Sequence, residues 1–139
     1  MNVSVIGLGR LGLPFSFFLA SKGYKVFAYD NDLFIKNKIK KKSFIEPNLN
    51  NYIKKNKNRF FLQNNIERLI NNSEITFIVL PTPSKKDGSF SNSFIFKSLK
   101  DISSSLRFKK DKNHIIVITS TVSPGSCEQF IHYMEKRSL

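Results

Sequence analysis

Three glycines, Gly7, Gly9 and Gly12, sit between the apolar run Val3-Ser4-Val5-Ile6 and the segment Pro14-Phe15-Ser16-Phe17-Phe18-Leu19-Ala20. That order supplies a buried strand that stops sharply, a turn without side chains, and a helix whose N-terminal N–H groups face outward. An anion such as a pyrophosphate can be held by such an arrangement, because backbone donors and the helix dipole converge on it. The three glycines carry separate tasks: Gly7 makes the tight turn, Gly9 lets the backbone approach a phosphate, and Gly12 lets the helix pack closely. With Leu8, Arg10 and Leu11 between them, residues 7–12 form the candidate phosphate cradle.

A second feature gives this cradle a ligand class. Asp30 ends the apolar run Lys25-Val26-Phe27-Ala28-Tyr29, 18 residues beyond Gly12, and the acid of a dinucleotide site is expected about 20 residues past the glycines. A carboxylate there accepts both hydroxyls of an adenosine ribose and repels a 2′-phosphate, so NAD is expected rather than NADP.

The elements that must position these residues alternate along the chain, the pattern of an α/β fold with a parallel sheet. After Asp30, Asp32 can cap a helix running to about Lys41, with Phe34, Ile35 and Ile39 on one side. Leu49, Tyr52 and Ile53 suggest a short helix over 49–55, Arg59 to Leu62 a brief strand, and Ile66, Leu69 and Ile70 another helix. Glu74 to Leu80 reads as a central strand stopped by Pro81-Thr82-Pro83. Ser84 to Ser89 is turn chemistry, and Ser91 to Leu106 has helical spacing through Phe94, Ile95, Leu99, Ile102 and Leu106. His114 to Ile118 is the next buried strand, followed by Thr119-Ser120-Thr121 and a helix over 128–137. Ligands of open parallel sheets bind beyond the carboxyl ends of the strands, where Asp30, Thr82 and Thr121 all fall.

Size and composition bound the rest. A chain of 139 residues fits one domain with a real core and no need of disulfides. A single cysteine, Cys127, argues for a reducing, cytoplasmic compartment. The bias toward Lys, Asn, Ile and Phe, with 14 Phe and no Trp, looks like the mark of an AT-rich genome rather than of a function. The formal charge of +13 comes from lysine clusters at 36–42, 54–59, 85–86 and 109–112. They are spread through helix ends and loops without a recognition motif, so a solvated surface is expected and no nucleic-acid partner. A basic nucleic-acid binder ranks as the third reading, its mark being steep loss of binding with salt. The longest apolar stretch, Leu11 to Ala20, is too short and interrupted to span a membrane. Nor do the first ten residues form a leader, so a mature N-terminus is expected.

Taken together, Gly7 to Pro14, Glu46-Pro47, Val79-Leu80-Pro81-Thr82-Pro83, Asp87-Gly88-Ser89 and Ser120-Thr121-Val122-Ser123-Pro124-Gly125 closely resemble the N-terminal domain of the UDP-glucose/GDP-mannose dehydrogenase family. The resemblance covers nearly the whole chain. It implies a Rossmann-type doubly wound parallel sheet over 1–139, truncated after the Ser-Thr-Val-Ser-Pro-Gly loop and one helix, with NAD as cofactor. It implies that the backbone at 7–12 holds the pyrophosphate, Asp30 the ribose, and that Thr82 borders the cofactor. Thr121 is implied near the nicotinamide, helping to place a catalytic water, a task suited to a hydroxyl that both donates and accepts. No metal is implied.

Two positions depart from the pattern. The residue five places after the ribose acid, basic in many relatives, is Ile35, with Lys36 next; the glycine that often follows Glu-Pro is Asn48. The family oxidises the alcohol of a nucleotide sugar to a carboxylate, with a thiol nucleophile, a lysine, an asparagine and the sugar pocket in a C-terminal half reached through a long central helix. Those parts are expected to be absent from 1–139, leaving the cofactor half of a dehydrogenase, as a truncated product or one piece of a split gene. A nucleotide-sugar substrate is then expected only when a C-terminal half is supplied. A non-catalytic dinucleotide-binding module, paired with a separate substrate chain or a homo-oligomer, is the alternative, because one sheet edge would be left uncovered. Cys127 in a first helical turn is a candidate nucleophile, but no His or Lys is placed by motif to assist it, and a half-buried structural residue is the favoured reading. His114 and His132 read as structural.

Overall fold

The computed structural model describes residues 1–41, 49–110 and 113–138; Glu46, Pro47 and Asn48 lie outside them. Five strands, β1 (Asn2–Ile6), β2 (Lys25–Tyr29), β3 (Phe60–Leu62), β4 (Ile75–Ile78) and β5 (Ile115–Ile118), form one sheet in the order β3-β2-β1-β4-β5. All four pairings are parallel. The chain builds outward from β1 to β3, then returns to place β4 on the other side of β1. The strand order therefore reverses between β1 and β4, the crevice where ligands of such sheets bind.

The helices are α1 (Gly12–Ser21), α2 (Leu33–Lys41), α3 (Leu49–Asn56), α4 (Ile66–Asn71), α5 (Ser93–Leu106) and α6 (Ser126–Ser138). Two apolar clusters show how they flank the sheet. Val3, Val5, Val26 and Ala28 bury against Leu13, Phe17 and Ala20 of α1 and Leu49 and Ile53 of α3. Ile6 and Ile78 bury against Leu69 and Ile70 of α4, Ile95, Leu99 and Ile102 of α5, and Phe130 of α6. Strands covered on both faces read as continuous apolar runs, as the sequence shows.

Local chemistry sets the element ends. Pro14 is tolerated in the first turn of α1, where its missing N–H would have no helical partner. The helix ends with Gly23 at φ +97. There Gly23 N donates to Ala20 O at 3.1 Å and Tyr24 N to Leu19 O at 3.3 Å, a Schellman stop. Asp32 accepts from Phe34 N at 2.8 Å and caps α2 as expected, and Asn65 accepts from Arg68 N at 3.0 Å to cap α4. The three-residue β3 is anchored by ring stacking, Phe17 on Phe60 at 4.5 Å and Phe27 on Phe61 at 5.2 Å. Each pair adds about 1 kcal/mol beyond its buried area.

The side assignments of two helices differ from expectation. Phe34 is 64% exposed, beneath the Lys38 ammonium, while Ile35 and Ile39 turn toward the core. In α3, Tyr52 is exposed beside buried Leu49 and Ile53. Apolar periodicity marks which residues can face inward, but α2 lies at the periphery with no fully buried residue, so its aromatic finds no core to enter. Arg59, expected in the strand, belongs to a 3-10 turn over Lys57–Arg59 and its guanidinium donates to the Gly23 carbonyl.

At the N-terminal end of the sheet, buried hydroxyls form a chain. Ser4 Oγ meets Thr76 Oγ1 at 2.7 Å, Ser73 Oγ donates to Leu69 O at 2.8 Å, and Thr76 Oγ1 lies 2.7 Å from His114 Nε2. Lys109 Nζ stands 2.9 Å from His114 Nδ1 and donates to Ser73 O at 2.7 Å. His114 is thus structural, as the sequence reading held. Burial first, then the Lys109 charge, push its pKa down to about 4, against smaller opposing effects of the Ser73 backbone and Glu74. Above pH 6.5 the ring is neutral folded or unfolded and has no effect on stability. As pH falls from 6.5 toward 4, only the unfolded chain takes the proton, so stability declines. The ring is half exposed, so the expected loss is about 1–2 kcal/mol rather than the full linkage value. Urea midpoints at pH 7 and 4.5 check this: His114→Gln should show a shallower acid decline than the parent chain.

Candidate functional site

Gly7 leaves β1 at φ +94, and a Cβ there would collide with the Val79 carbonyl. A Cβ on Gly12 would collide with the Gly7 carbonyl, so the helix can start this close to the turn only without a side chain. A Cβ on Gly9 would meet no heavy atom within 4 Å. Gly9 also lines a cleft of about 340 Å³. Close contact within the fold therefore accounts for two of the glycines, while the third faces open space. Helix α1 has no side-chain cap bond and no acid in its first turn, so no carboxylate of its own offsets the positive end of its dipole.

Asp30 is 7% exposed. Its Oδ2 accepts from Leu8 N at 2.7 Å and its Oδ1 from Asp32 N at 2.8 Å. One carboxylate thus ties the glycine turn to the end of β2, while each oxygen keeps acceptor capacity for a ligand. Leu8 enters the site through that N–H alone; its side chain is in the core at 2% exposure, whereas Arg10 and Leu11 are exposed.

The two threonines meet at the ends of β4 and β5. Thr82 Oγ1 donates to the Thr121 carbonyl at 2.7 Å, and both line a second cavity of about 290 Å³. Val79, Leu80 and Pro81 line both cavities, the first of which holds Asp30 and the second Thr82 and Thr121. Ser120 was not singled out as a site residue. Its hydroxyl accepts from Leu80 N at 2.9 Å and donates to Leu80 O at 2.7 Å, stitching the two strand ends together. The strand expected over 74–80 spans Ile75–Ile78; beyond it Val79 N still donates to Ile6 O at 2.8 Å, and at Leu80 the Ser120 hydroxyl takes the place of a backbone partner.

Sequence reading also missed the cleft wall formed by α5. Phe94, Lys97, Ser98 and Asp101 face the cleft, and their 3-1-3 spacing is one stripe of a helix. Phe94 was expected with the apolar face, yet it is 44% exposed, while Ile95, Leu99 and Ile102 fill the core. Nothing in the spacing of Lys97, Ser98 and Asp101 marked them as a cleft wall. Ile35 also lines the cleft, whereas the Lys36 ammonium sits 4.7 Å from the centroid of the Tyr29 ring.

Asp87 Oδ1 accepts from Ser89 N and Oγ at 3.0 and 2.7 Å, closing a turn with Gly88 at φ +79. These bonds, the Ser89 hydroxyl foremost, hold the Asp87 carboxyl below its ordinary pKa. Cys127 lies in the first turn of α6, as expected, but is exposed rather than half-buried. The helix starts at Ser126, before the expected Glu128, and its next position points outward. His132 is exposed on the same helix.

A glycine turn at the switch point of a parallel sheet, with a buried acid closing the neighbouring strand, defines a dinucleotide-binding Rossmann domain. The family model "UDP-glucose/GDP-mannose dehydrogenase family, NAD binding domain" matches residues 1–139. The chain belongs to that family, and NAD is its cofactor. It is 30% identical over 141 residues to a UDP-glucose 6-dehydrogenase of Rickettsia felis, covering 99% of this chain and 31% of that protein. Against a GDP-mannose 6-dehydrogenase of Pseudomonas aeruginosa, the identity is 27%, over 94% of this chain and 31% of that one. The fold superposes on a ternary complex of the Pseudomonas aeruginosa GDP-mannose dehydrogenase with TM-score 0.91 and 26% identity, over 99% of this chain and 33% of the other. It also matches the UDP-N-acetyl-mannosamine dehydrogenase Cap5O from Staphylococcus aureus, with TM-score 0.83 and 25% identity, over 100% and 34%. The chain spans about a third of the length of these relatives. Among the described residues no helix is long and apolar enough to cross a membrane.

Proposed function

We propose that residues 1–139 are one domain, the cofactor half of a nucleotide-sugar dehydrogenase, and that NAD lies along the cleft from Asp30 to Thr121. The observation that carries this reading is the Asp30 carboxylate, buried, oriented by two backbone N–H groups, and lining the same cleft as Gly9. The backbone of 7–12 and the start of α1 hold the pyrophosphate. Gly9 supplies the close approach and the helix N-terminus the favourable field. Asp30 accepts the ribose hydroxyls and rejects a 2′-phosphate by charge. Thr82 steadies the Thr121 loop through its hydrogen bond, and Thr121 borders the nicotinamide and positions water.

Bound NAD supplies hydride acceptance from the sugar alcohol carbon. The thiol, its assisting lysine and asparagine, and the sugar pocket belong outside these 139 residues, so oxidation of a nucleotide sugar to its carboxylate needs a C-terminal half. Cys127 does not supply the thiol: it is exposed on α6 and lines neither cavity of the cleft. A reducing, cytoplasmic setting suits this free thiol.

The alternative, a module completed by a separate chain, draws on β5. Among the described residues this Ile-Val strand pairs on one side only, and Ile115 is 60% exposed. Size-exclusion chromatography separates the readings, a clean monomer counting against partner dependence. Isothermal titration tests the cofactor assignment: NAD should bind, with NADP at least tenfold weaker, and tighter NADP binding or no NAD binding would overturn it.

A further inference from the structure

The lysine clusters are scattered in the sequence, but the fold gathers two of them. Lys36 to Lys41 and Lys54 to Arg59 both belong to the crossover from β2 to β3, and Ile35, Ile39, Leu49 and Ile53 anchor that crossover on the sheet face that α1 covers. Helix α2 has four lysines and no acid, and α3 with the 3-10 turn after it has three lysines, one arginine and no acid. The helices of the other face are nearly balanced, with five cations against four acids in α4, α5 and α6. Among the described helices the excess charge is therefore on one side. The same layer exposes apolar groups: Leu33 is 70% and Phe34 64% exposed at the start of α2, Tyr52 48% on α3 and Phe18 49% on α1. The Lys38 ammonium stands 4.5 Å from the centroid of the Phe34 ring, and that of Lys22 5.4 Å from Phe18. Cations and apolar tips are thus interleaved over one layer.

We propose that the layer of α2 and α3 docks the chain on an anionic lipid bilayer, resting on its surface without spanning it. The negative potential of such a surface attracts each nearby lysine or arginine, and each strengthens attachment about fivefold. Apolar groups that enter the boundary between headgroups and acyl chains supply the second contact that stable attachment needs. Leu33 and Phe34, adjacent and exposed, are that contact. The stem of Lys38 lies along the ring while its ammonium reaches a lipid phosphate. A nucleic acid is the other polyanion with charge to fit. Leu33 has no planar face on which a base can stack, and the Phe34 ring already carries the Lys38 ammonium, so the pair suits acyl chains rather than bases.

Co-sedimentation of the whole 139-residue chain with vesicles tests this. Vesicles of phosphatidylcholine with about 30% phosphatidylserine should bind the chain roughly tenfold or more tightly than phosphatidylcholine alone at about 0.1 M salt, and the difference should shrink as salt rises. Lys54→Glu/Lys55→Glu should weaken binding to the anionic vesicles by roughly tenfold or more. Lys100→Glu/Lys136→Glu removes the same charge from the helices of the other face and should weaken it by less than about threefold. Leu33→Ser/Phe34→Ser should weaken binding severalfold while leaving its salt dependence unchanged. Thermal midpoints of all variants check that losses are not unfolding, and Lys54→Ala/Lys55→Ala gives the same comparison where reversed charges disturb α3. Equal binding to the two kinds of vesicle, or equal losses from the two charge-reversed pairs, overturns the proposal. Displacement of the chain from the anionic vesicles by a single-stranded oligonucleotide at matched charge overturns the lipid assignment in favour of a nucleic acid.

Discussion

Gly12→Ala is expected to lower the thermal midpoint by roughly 10 °C and to remove measurable NAD binding. The added methyl would collide with the carbonyl of Gly7, a backbone atom that no rotamer change can move. Relief requires α1 to shift away from the turn, which also pulls Phe17 from its packing on Phe60. Overpacking at such a site costs about 2–4 kcal/mol, more than the ~1 kcal/mol that alanine gains over glycine in a helix. In a chain of this size, 3 kcal/mol is a shift of roughly 10 °C. Gly9→Ala is the control. Its methyl meets nothing in the fold, so the midpoint should hold while NAD affinity falls, because the methyl stands where the pyrophosphate approaches. Thermal unfolding and titration of both variants check the pair, and a Gly9→Ala chain that binds NAD normally would displace the phosphate from the turn.

Asp30→Ala is expected to weaken NAD binding by about 1–3 kcal/mol, roughly 5- to 150-fold, through loss of a charged acceptor. The same change has a second effect that the sequence did not reveal. Asp30 holds the N–H groups of Leu8 and Asp32, and leaving a buried N–H without a partner costs a further 1–3 kcal/mol of stability. Affinity and stability should therefore fall together in Asp30→Ala. Asp30→Asn keeps an acceptor oxygen and should recover part of the stability without restoring the charge-based rejection of NADP. Titration with both dinucleotides, beside urea unfolding, separates the two effects. Unchanged NAD affinity in Asp30→Ala would place the ribose elsewhere.

Element type and order were legible because they depend on neighbours in the chain. Val3 to Ile6 announces a doubly covered strand, Asp32 a cap, and Gly7 the turn that needs positive φ. The candidate site was legible where a motif encodes it, at 7–12, Asp30, Thr82 and Thr121. It was not legible in α5, where Phe94 reads with the apolar positions and Lys97, Ser98 and Asp101 carry no motif. Nor could periodicity show that Phe34 would remain outside while Ile35 turned inward. A helix has no inner side until something packs against it.

The amino-acid sequence by itself determined a parallel α/β chain with a dinucleotide cradle and an acid at the end of β2, since these follow from glycine freedom, apolar period and short spacings. Only the tertiary structure decided that Asp30 would bind Leu8 N across 22 residues, and that Thr82 would meet the Thr121 loop across 39. It also set α5 as the far wall of the cleft. Those contacts arise from strand order and register, in which β4 returns beside β1, and no local run of residues carries that information.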